Sequence, residues 1–197
     1  MKRVLDSAFS LIALVVLSPL LGLISLVVKV DSPGPVLFIQ RRVGRGRELF
    51  AMYKFRTMRV ETPGDVPTHL LLGVDSHLTR AGRILRVLSL DELPQLMNIL
   101  KGDMSFVGPR PALWNQDDLI AEREKYGAND VRPGLTGWAQ INGRDELSIA
   151  EKAALDGYYV RHQSLLFDLR CVLGTIVPVL RGRGVVEGSR RVDGDAL

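Results

Sequence analysis

The sequence predicts an α+β protein, mostly helical, in which a short β-hairpin and several amphipathic helices follow a broken apolar helix at the N-terminus. Three observations predict it. Residues 8 to 28, AFSLIALVVLSPLLGLISLVV, run for 21 residues without a charge. Two short apolar runs, VLFIQRR and ELFAMYKFR, flank the turn-like Gly44-Arg45-Gly46-Arg47. Further along, apolar residues return at spacings of three and four, the period of a helix with one apolar face.

The apolar run is long enough to span a bilayer, which takes roughly 20 residues. Ser18-Pro19 lies at its middle, where proline removes a donor and clashes with the preceding turn, so a kink or break is expected. Lys2 and Arg3 precede the run and Lys29 follows it. A plain span would put Lys2 and Arg3 on the face opposite the arginine-rich remainder, against the usual charge bias. A helix that dips in, bends at Ser18-Pro19 and returns keeps both flanks on one side, and is the preferred reading. A cleaved signal peptide fits less well, because the run continues past Pro19 without a small-x-small site.

Pro33-Gly34-Pro35 ends the apolar segment, and the hairpin follows. Residues 61–77 are weakly patterned and read as an exposed loop. LTRAGRILRVL reads as a helix that puts Arg80, Arg83 and Arg86 on one face. GDMSFVGPRPAL reads as a loop carrying Arg110 between two prolines, and a helix is expected around Asp117 to Tyr126. In VRPGLTGWAQINGR, Gly134, Gly137 and Gly143 permit tight turns whose N–H groups could cradle an anion. Two helices are expected from about Ser148 to His162 and from Gln163 to Leu180, then a polar tail over residues 182–197. The last helix carries Leu165, Leu166, Leu169, Val172, Leu173, Ile176 and Leu180 in one stripe, which suits either a core-facing helix or one lying in a membrane interface.

At 197 residues the chain is long enough for one ordinary domain. Lys and Arg number 26 against 22 Asp and Glu, a net charge of +4 that favours anionic partners. The single cysteine, Cys171, excludes an internal disulfide and points to a reducing compartment. His69, His77 and His162 are too scattered to suggest a zinc site.

The densest chemistry is in SLDELPQL, residues 89–96. Ser-x-x-Glu before an apolar run is a helix-start pattern. With Ser89 as N-cap, however, Pro94 falls where an intrahelical donor is needed; with Asp91 as N-cap it falls among the donors that have no partner anyway. The same pair can do chemistry. Asp91 and Glu92 lie among Lys54, Arg56, Arg86 and Arg110 next to the apolar segment, a grouping that suits phosphate chemistry. Carboxylate oxygens bind Mg²⁺ together with substrate phosphates, and an aspartate can be a nucleophile that forms an acyl phosphate.

GPVLFIQRRVGRG, YKFRTM, LTRAGRILRVLSLDELPQLMNILKGDMSFVGPRPAL and RPGLTGWAQINGR, in this order behind a Ser-Pro-interrupted apolar segment, closely resemble the bacterial sugar transferase family, the monotopic phosphoglycosyl transferases, in their small single-domain form. The resemblance covers residues 2 to 180. It implies a re-entrant helix over residues 1–31, a catalytic domain over 32–181 and a tail over 182–197, with the active site at the cytoplasmic face of the bacterial inner membrane. It implies transfer of a phosphosugar from a UDP-sugar to polyprenol phosphate, with release of UMP and formation of a polyprenyl diphosphate sugar.

On the matching positions, Asp91 would be the nucleophile and a Mg²⁺ ligand, and Glu92 would assist. Arg86 and Arg110 would bind phosphate, with Lys54, Arg56 and Arg144 in weaker supporting roles. The implied partners are a UDP-sugar, polyprenol phosphate and membrane lipid, with no nucleic acid; a homodimer is left open. The competing reading is a non-enzymatic membrane-anchored module that grips anionic lipid or nucleic acid through its basic surface, with Trp114 and Trp138 as stacking platforms.

Overall fold

The computed structural model describes residues 1–63, 73–143 and 146–181. Helices α1 (Lys2–Val16) and α2 (Ser18–Asp31) lead into an antiparallel hairpin, β1 (Leu37–Val43) and β2 (Leu49–Phe55). Helices α3 (Val74–His77), α4 (Arg80–Val87) and α5 (Gln95–Lys101) follow. Strand β3 (Ser105–Val107), helix α6 (Asp117–Glu124) and strand β4 (Gly134–Thr136) come next, then α7 (Trp138–Ile141), α8 (Ile149–His162) and α9 (Leu165–Arg181). The tail expected over residues 182–197 lies outside the described residues.

The break in the apolar segment has a local cause. Pro19 stands in the first turn of α2, where its fixed φ suits a helix start. In an unbroken helix, residue 19 would donate to the carbonyl of Val15. Proline cannot, and the Ser18 hydroxyl donates to that carbonyl instead, at 2.8 Å. The pair is bent by 63°. Among the described residues no single helix is long and apolar enough to cross a membrane, while the bent pair meets that length and composition together.

Both arms of the bend pack against the rest of the protein. From α2, Leu21, Ile24 and Val28 meet Phe55, Leu85, Leu90 and Leu93. Burying Ile24 and Val28 contributes about 1.5–3 kcal/mol each. From α1, Ala13, Leu14 and Leu17 meet Met52, Leu96, Ile99 and Met104. The charges at the two ends turn inward as well. Lys2 pairs with Asp168 on α9 at 2.5 Å. Arg3 donates to the carbonyls of Ile99 and Leu100 at 2.5 and 2.7 Å, covering the C-terminal end of α5. The carboxylate of Asp6 accepts from the Ser105 hydroxyl at 2.8 Å. At the far end of the pair, Asp31 accepts from the backbone N–H of Ala81 at 3.0 Å. The first and last turns of the pair are therefore fastened to one folded body. Phe9, Ile12, Val15, Val16, Leu23, Leu26 and Val30 are left exposed, as are Ile84, Val87 and Leu88 around α4.

Two expectations need correction. The helix anticipated from Asp91 begins at Gln95, with Pro94 as its N-cap; Leu90–Glu92 form a separate 3-10 turn entered through Ser89 at φ 55°. Neither cap pattern survives, because the Glu92 carboxylate is taken by Lys54 and Arg110 instead of the backbone. The capping box occurs at Ser148 and Glu151, at the start of α8.

The second correction concerns the 102–113 loop, which contains β3, paired in parallel with β4. That pairing also changes the role of the glycines. Gly108 N–H donates to Thr136 O and Gly134 N–H to Pro109 O, both at 2.9 Å. A Cβ on Gly134 would lie 2.1 Å from the Gly108 nitrogen. Gly108 and Gly134 serve close backbone approach, and the Gly134 N–H is not left for an anion.

The stripe on α9 suits either a core or an interface, and from Leu165 to Leu173 it faces outward. Leu165, Leu166, Leu169, Val172 and Leu173 are all exposed, while Asp168 and Cys171 point inward.

Besides the packing of Leu96 and Ile99 on Met52, helix α5 is tied to the backbone of the hairpin by one side chain. Fully buried Asn98 donates to Ala51 O at 2.7 Å and to Asp103 at 3.0 Å, and its Oδ1 accepts from Tyr53 N–H at 3.0 Å. Asn98→Ala leaves buried backbone groups of β2 without partners, and each such group costs about 1–3 kcal/mol. Chemical denaturation of the full chain in detergent is expected to show a loss of at least about 2 kcal/mol; an unchanged midpoint would contradict this role for Asn98.

Candidate active site

Four elements bring the site together. The pleat of the hairpin puts Gln40, Arg42, Met52 and Lys54 on one face, since Gln40 stands opposite Met52 and Phe38 opposite Lys54. Asp91 and Glu92 come from the 3-10 turn, Arg86 from the last turn of α4 and Arg110 from the segment after β3. That turn is held between the arms of the bent helix pair, because Leu90 and Leu93 pack against α2 and Leu96 against α1.

Glu92 is the hub. Its Oε1 accepts from Lys54 Nζ at 2.7 Å and from Arg110 Nη2 at 3.0 Å. Asp91 is also buried, but its nearest cation, Lys54 Nζ, is 4.0 Å from Oδ2. No hydrogen bond reaches the Asp91 carboxylate among the described residues. Arg86 Nε donates to Thr57 Oγ1 at 3.0 Å, and its charge is felt at Asp91. The adjacent carboxylates thus have different surroundings: one is gripped by two cations and the other is left with open oxygens.

The electrostatics follow. Burial alone would raise Glu92, but the charges and hydrogen bonds of Lys54 and Arg110 outweigh it and hold Glu92 well below the ordinary carboxylate range. Burial raises Asp91; Lys54, Arg86 and Arg110 oppose that, while the charge of Glu92 adds to it, and the net shift is upward. Lys54 is lowered by burial, with Glu92 and Asp91 pulling the other way. Glu92 is ionised across the neutral range and Asp91 is the more readily protonated of the two.

The other expected residues divide. Arg56 is buried, but its guanidinium donates to the carbonyls of Ser32, at 2.7 Å, and Pro33, where α2 gives way to the hairpin. It is not brought to the carboxylates with Lys54 and Arg110. Arg144 lies outside the described residues. Ser18 and Pro19 form the bend and do not touch the carboxylates. Trp138, considered as a stacking platform, packs against Phe167 and Tyr158 at ring separations of 4.9 and 5.9 Å, with Arg170 over its face. As for metals, no group of three or more His, Cys, Asp or Glu suited to one occurs among the described residues. Asp91 is the carboxylate with capacity to spare, which fits an ion such as Mg²⁺ that takes one or two carboxylates and completes its shell with phosphate oxygens and water.

Sequence reasoning missed Arg42, Arg123 and Asp156. Arg42 Nη1 donates to Pro111 O at 3.0 Å, and its Nε and Nη2 reach Gln40 Oε1 at 2.9 and 2.5 Å. Burial, helped by the charge of Arg110, pushes Arg42 down to about 9. Buried Arg123 pairs with Asp156 at 2.6 Å and donates to Arg110 O at 2.9 Å. The strand alternation could have found Arg42, two residues from Gln40 on the inner face. No local pattern singles out Arg123 or Asp156.

Comparison with known proteins places this geometry. The family model for bacterial sugar transferases matches residues 1–182. An uncharacterized sugar transferase, EpsL, of Bacillus subtilis (strain 168) is 40% identical over 95% of this chain and 91% of its own length. A UDP-glucose:undecaprenyl-phosphate glucose-1-phosphate transferase of Caulobacter vibrioides is 44% identical over 91% of this chain and 69% of its own length. An undecaprenyl-phosphate glucose phosphotransferase of Komagataeibacter xylinus is 42% identical over 89% of this chain, which spans 35% of that longer protein. The two carboxylates, their cations and the bent helix pair all fall inside the matched region, and this chain belongs to the bacterial sugar transferase family.

Proposed function

We propose that the protein moves a phosphosugar from a UDP-sugar to polyprenol phosphate, releasing UMP, through a covalent intermediate on Asp91. Family membership makes it a transferase, and the Caulobacter and Komagataeibacter relatives are named as transferases acting on undecaprenyl phosphate. The observation that carries the covalent step is the asymmetry of the pair: Glu92 accepts from both Lys54 and Arg110, whereas among the described residues the Asp91 oxygens accept no hydrogen bond. In the first half-reaction an Asp91 oxygen bonds to the sugar-linked phosphorus as the bond to the α-phosphate breaks, and UMP leaves. In the second, a phosphate oxygen of polyprenol phosphate attacks the same phosphorus and the aspartyl bond breaks, restoring Asp91. One diphosphate replaces another, so the driving force changes little and the barrier is the problem to be solved.

The charge spread over the phosphoryl oxygens during transfer needs fixed cations. Arg110 and Arg86 supply guanidinium groups for this, and Lys54 keeps Glu92 and Arg110 in register. Glu92, held far below neutral, is a poor proton acceptor, since a general base works best near the operating pH; its role is to orient Lys54 and Arg110. Mg²⁺ bound by Asp91 and the substrate diphosphate would add Lewis-acid charge neutralisation.

The membrane reading rests on two supports: the outward apolar faces of α1, α2 and α9, and the fastening of Lys2, Arg3 and Asp31 to one body. A helix pair with both ends on the same body enters and leaves a bilayer on one side. This supports a re-entrant helix at the cytoplasmic face of the inner membrane, with residues 32–181 as the catalytic unit, and it brings a water-soluble donor to an acceptor confined to lipid. The product begins glycan assembly at the membrane. Residues 65–77, of which 65–72 lie outside the described residues, and the region after Arg144 are candidates for selecting the sugar.

Intact-mass analysis of the full chain with Mg²⁺ and a panel of UDP-sugars is expected to show a phosphosugar adduct before polyprenol phosphate is added. An adduct that persists in Asp91→Asn would remove Asp91 as nucleophile. A second expectation comes from pH. The attacking form of Asp91 is the ionised one, so the acid limb of kcat/KM follows its pKa. Removing the negative charge at Glu92 makes that ionisation easier, so Glu92→Gln moves the limb to lower pH. Removing the positive charge in Lys54→Met makes it harder and moves the limb to higher pH. Shifts in the same direction would show that the limb reports another group.

A further inference from the structure

The segment that carries Arg110 has an unusual set of backbone partners. Four successive carbonyls accept from three separate parts of the chain. Pro109 O accepts from Gly134 N–H at 2.9 Å, Arg110 O from Arg123 Nη1 at 2.9 Å, Pro111 O from Arg42 Nη1 at 3.0 Å and Ala112 O from Val43 N–H at 2.9 Å. Prolines 109 and 111 add fixed φ angles and no donors. Two of the four donors are guanidinium groups, Arg123 buried and Arg42 half-buried, and such groups are costly to remove from water. Arg123 is compensated by Asp156, whose other oxygen, Oδ1, has no partner among the described residues. The Nε and Nη2 of Arg42 donate to the neutral amide oxygen of Gln40.

A loop that needed only its shape could be held by neutral groups. Guanidinium groups on successive carbonyls do more, because they fix the backbone of Arg110 and Pro111 through forked donors, and Arg42, which has no carboxylate hydrogen-bonded to it among the described residues, adds positive charge beside Arg110. Arg42 also interacts electrostatically with both Arg110 and Glu92. We propose that Arg42 and Arg123 are positioning residues that clamp the backbone of Arg110 and Pro111 and so hold the Arg110 guanidinium at Glu92, aimed at the diphosphate of the donor. This rests on the transferase reading above, and it assigns a role in that reaction to residues outside the carboxylate pair.

The test uses the full chain in detergent, with UDP as the binding probe and hydrogen exchange over residues 108–113 as an independent readout. Arg42→Gln is expected to weaken UDP binding about tenfold, about 1.4 kcal/mol, and to cause no further loss when Arg110 is already Gln. Amides in 108–113 are expected to exchange faster in Arg42→Gln and in Arg123→Lys. If Arg42→Gln does not fold, Arg42→Lys, which keeps the charge but loses the forked donors, takes its place with the same expectations. An equal loss of UDP binding on both Arg110 backgrounds overturns the proposal, as does unchanged exchange over 108–113. A wild-type chain that neither binds UDP nor releases UMP from any UDP-sugar refutes the transferase reading, and the exchange result alone then decides the clamp.

Discussion

The contact on which the site depends is the double grip on Glu92. Lys54 reaches it from a β-strand and Arg110 from the segment after β3, so one carboxylate oxygen joins three stretches far apart in sequence. Such a contact is costly to build, because three charges leave water, and removing one partner from a buried pair costs about 3–5 kcal/mol. Its consequence is asymmetry. Two cations hydrogen-bonded to Glu92 leave the neighbouring Asp91 without a hydrogen bond among the described residues, and burial raises its pKa; that difference gives two adjacent carboxylates separate roles in the proposed transfer.

The rest of the fold supports that grip from below and behind. The bend at Leu17 places α2 against one side of the 3-10 turn and α1 against the helix that follows it. The apolar segment is therefore part of the catalytic architecture as well as a candidate anchor. Arg3 covers the end of α5, and Asp6 holds β3, which leads into the Arg110 segment. Under the proposed membrane reading, the helices that meet the lipid touch both the nucleophile's turn and the strand that leads to Arg110, so depth in the bilayer and geometry at Asp91 are mechanically linked.

Much of this was legible in the sequence because it was local. The hairpin followed from alternation around a Gly-Arg-Gly-Arg turn, and the break at Ser18-Pro19 from the missing proline donor. The grouping of Asp91, Glu92, Lys54, Arg86 and Arg110 followed from motif order. Errors arose where a tertiary partner outbid a local one. Ser89 and Glu92 have capping-box spacing, yet Glu92 goes to Lys54 and Arg110. Gly134 suggests part of an anion nest, yet with Gly108 it serves the close approach of β3 and β4, a parallel pair whose strands are too short to announce themselves.

Composition and pattern determined the mostly helical α+β class, the broken apolar helix and the residue types at the site, because helix period, strand alternation and proline's missing N–H act within a few residues of one another. The tertiary structure decided which of those residues meet. It turned Arg56 away to the end of α2, directed the charges of Lys2, Arg3 and Asp6 inward, and placed Arg42 and the Arg123–Asp156 pair behind Arg110. Those choices depend on desolvation and on the geometry of partners dozens of residues apart, which no short stretch of sequence encodes.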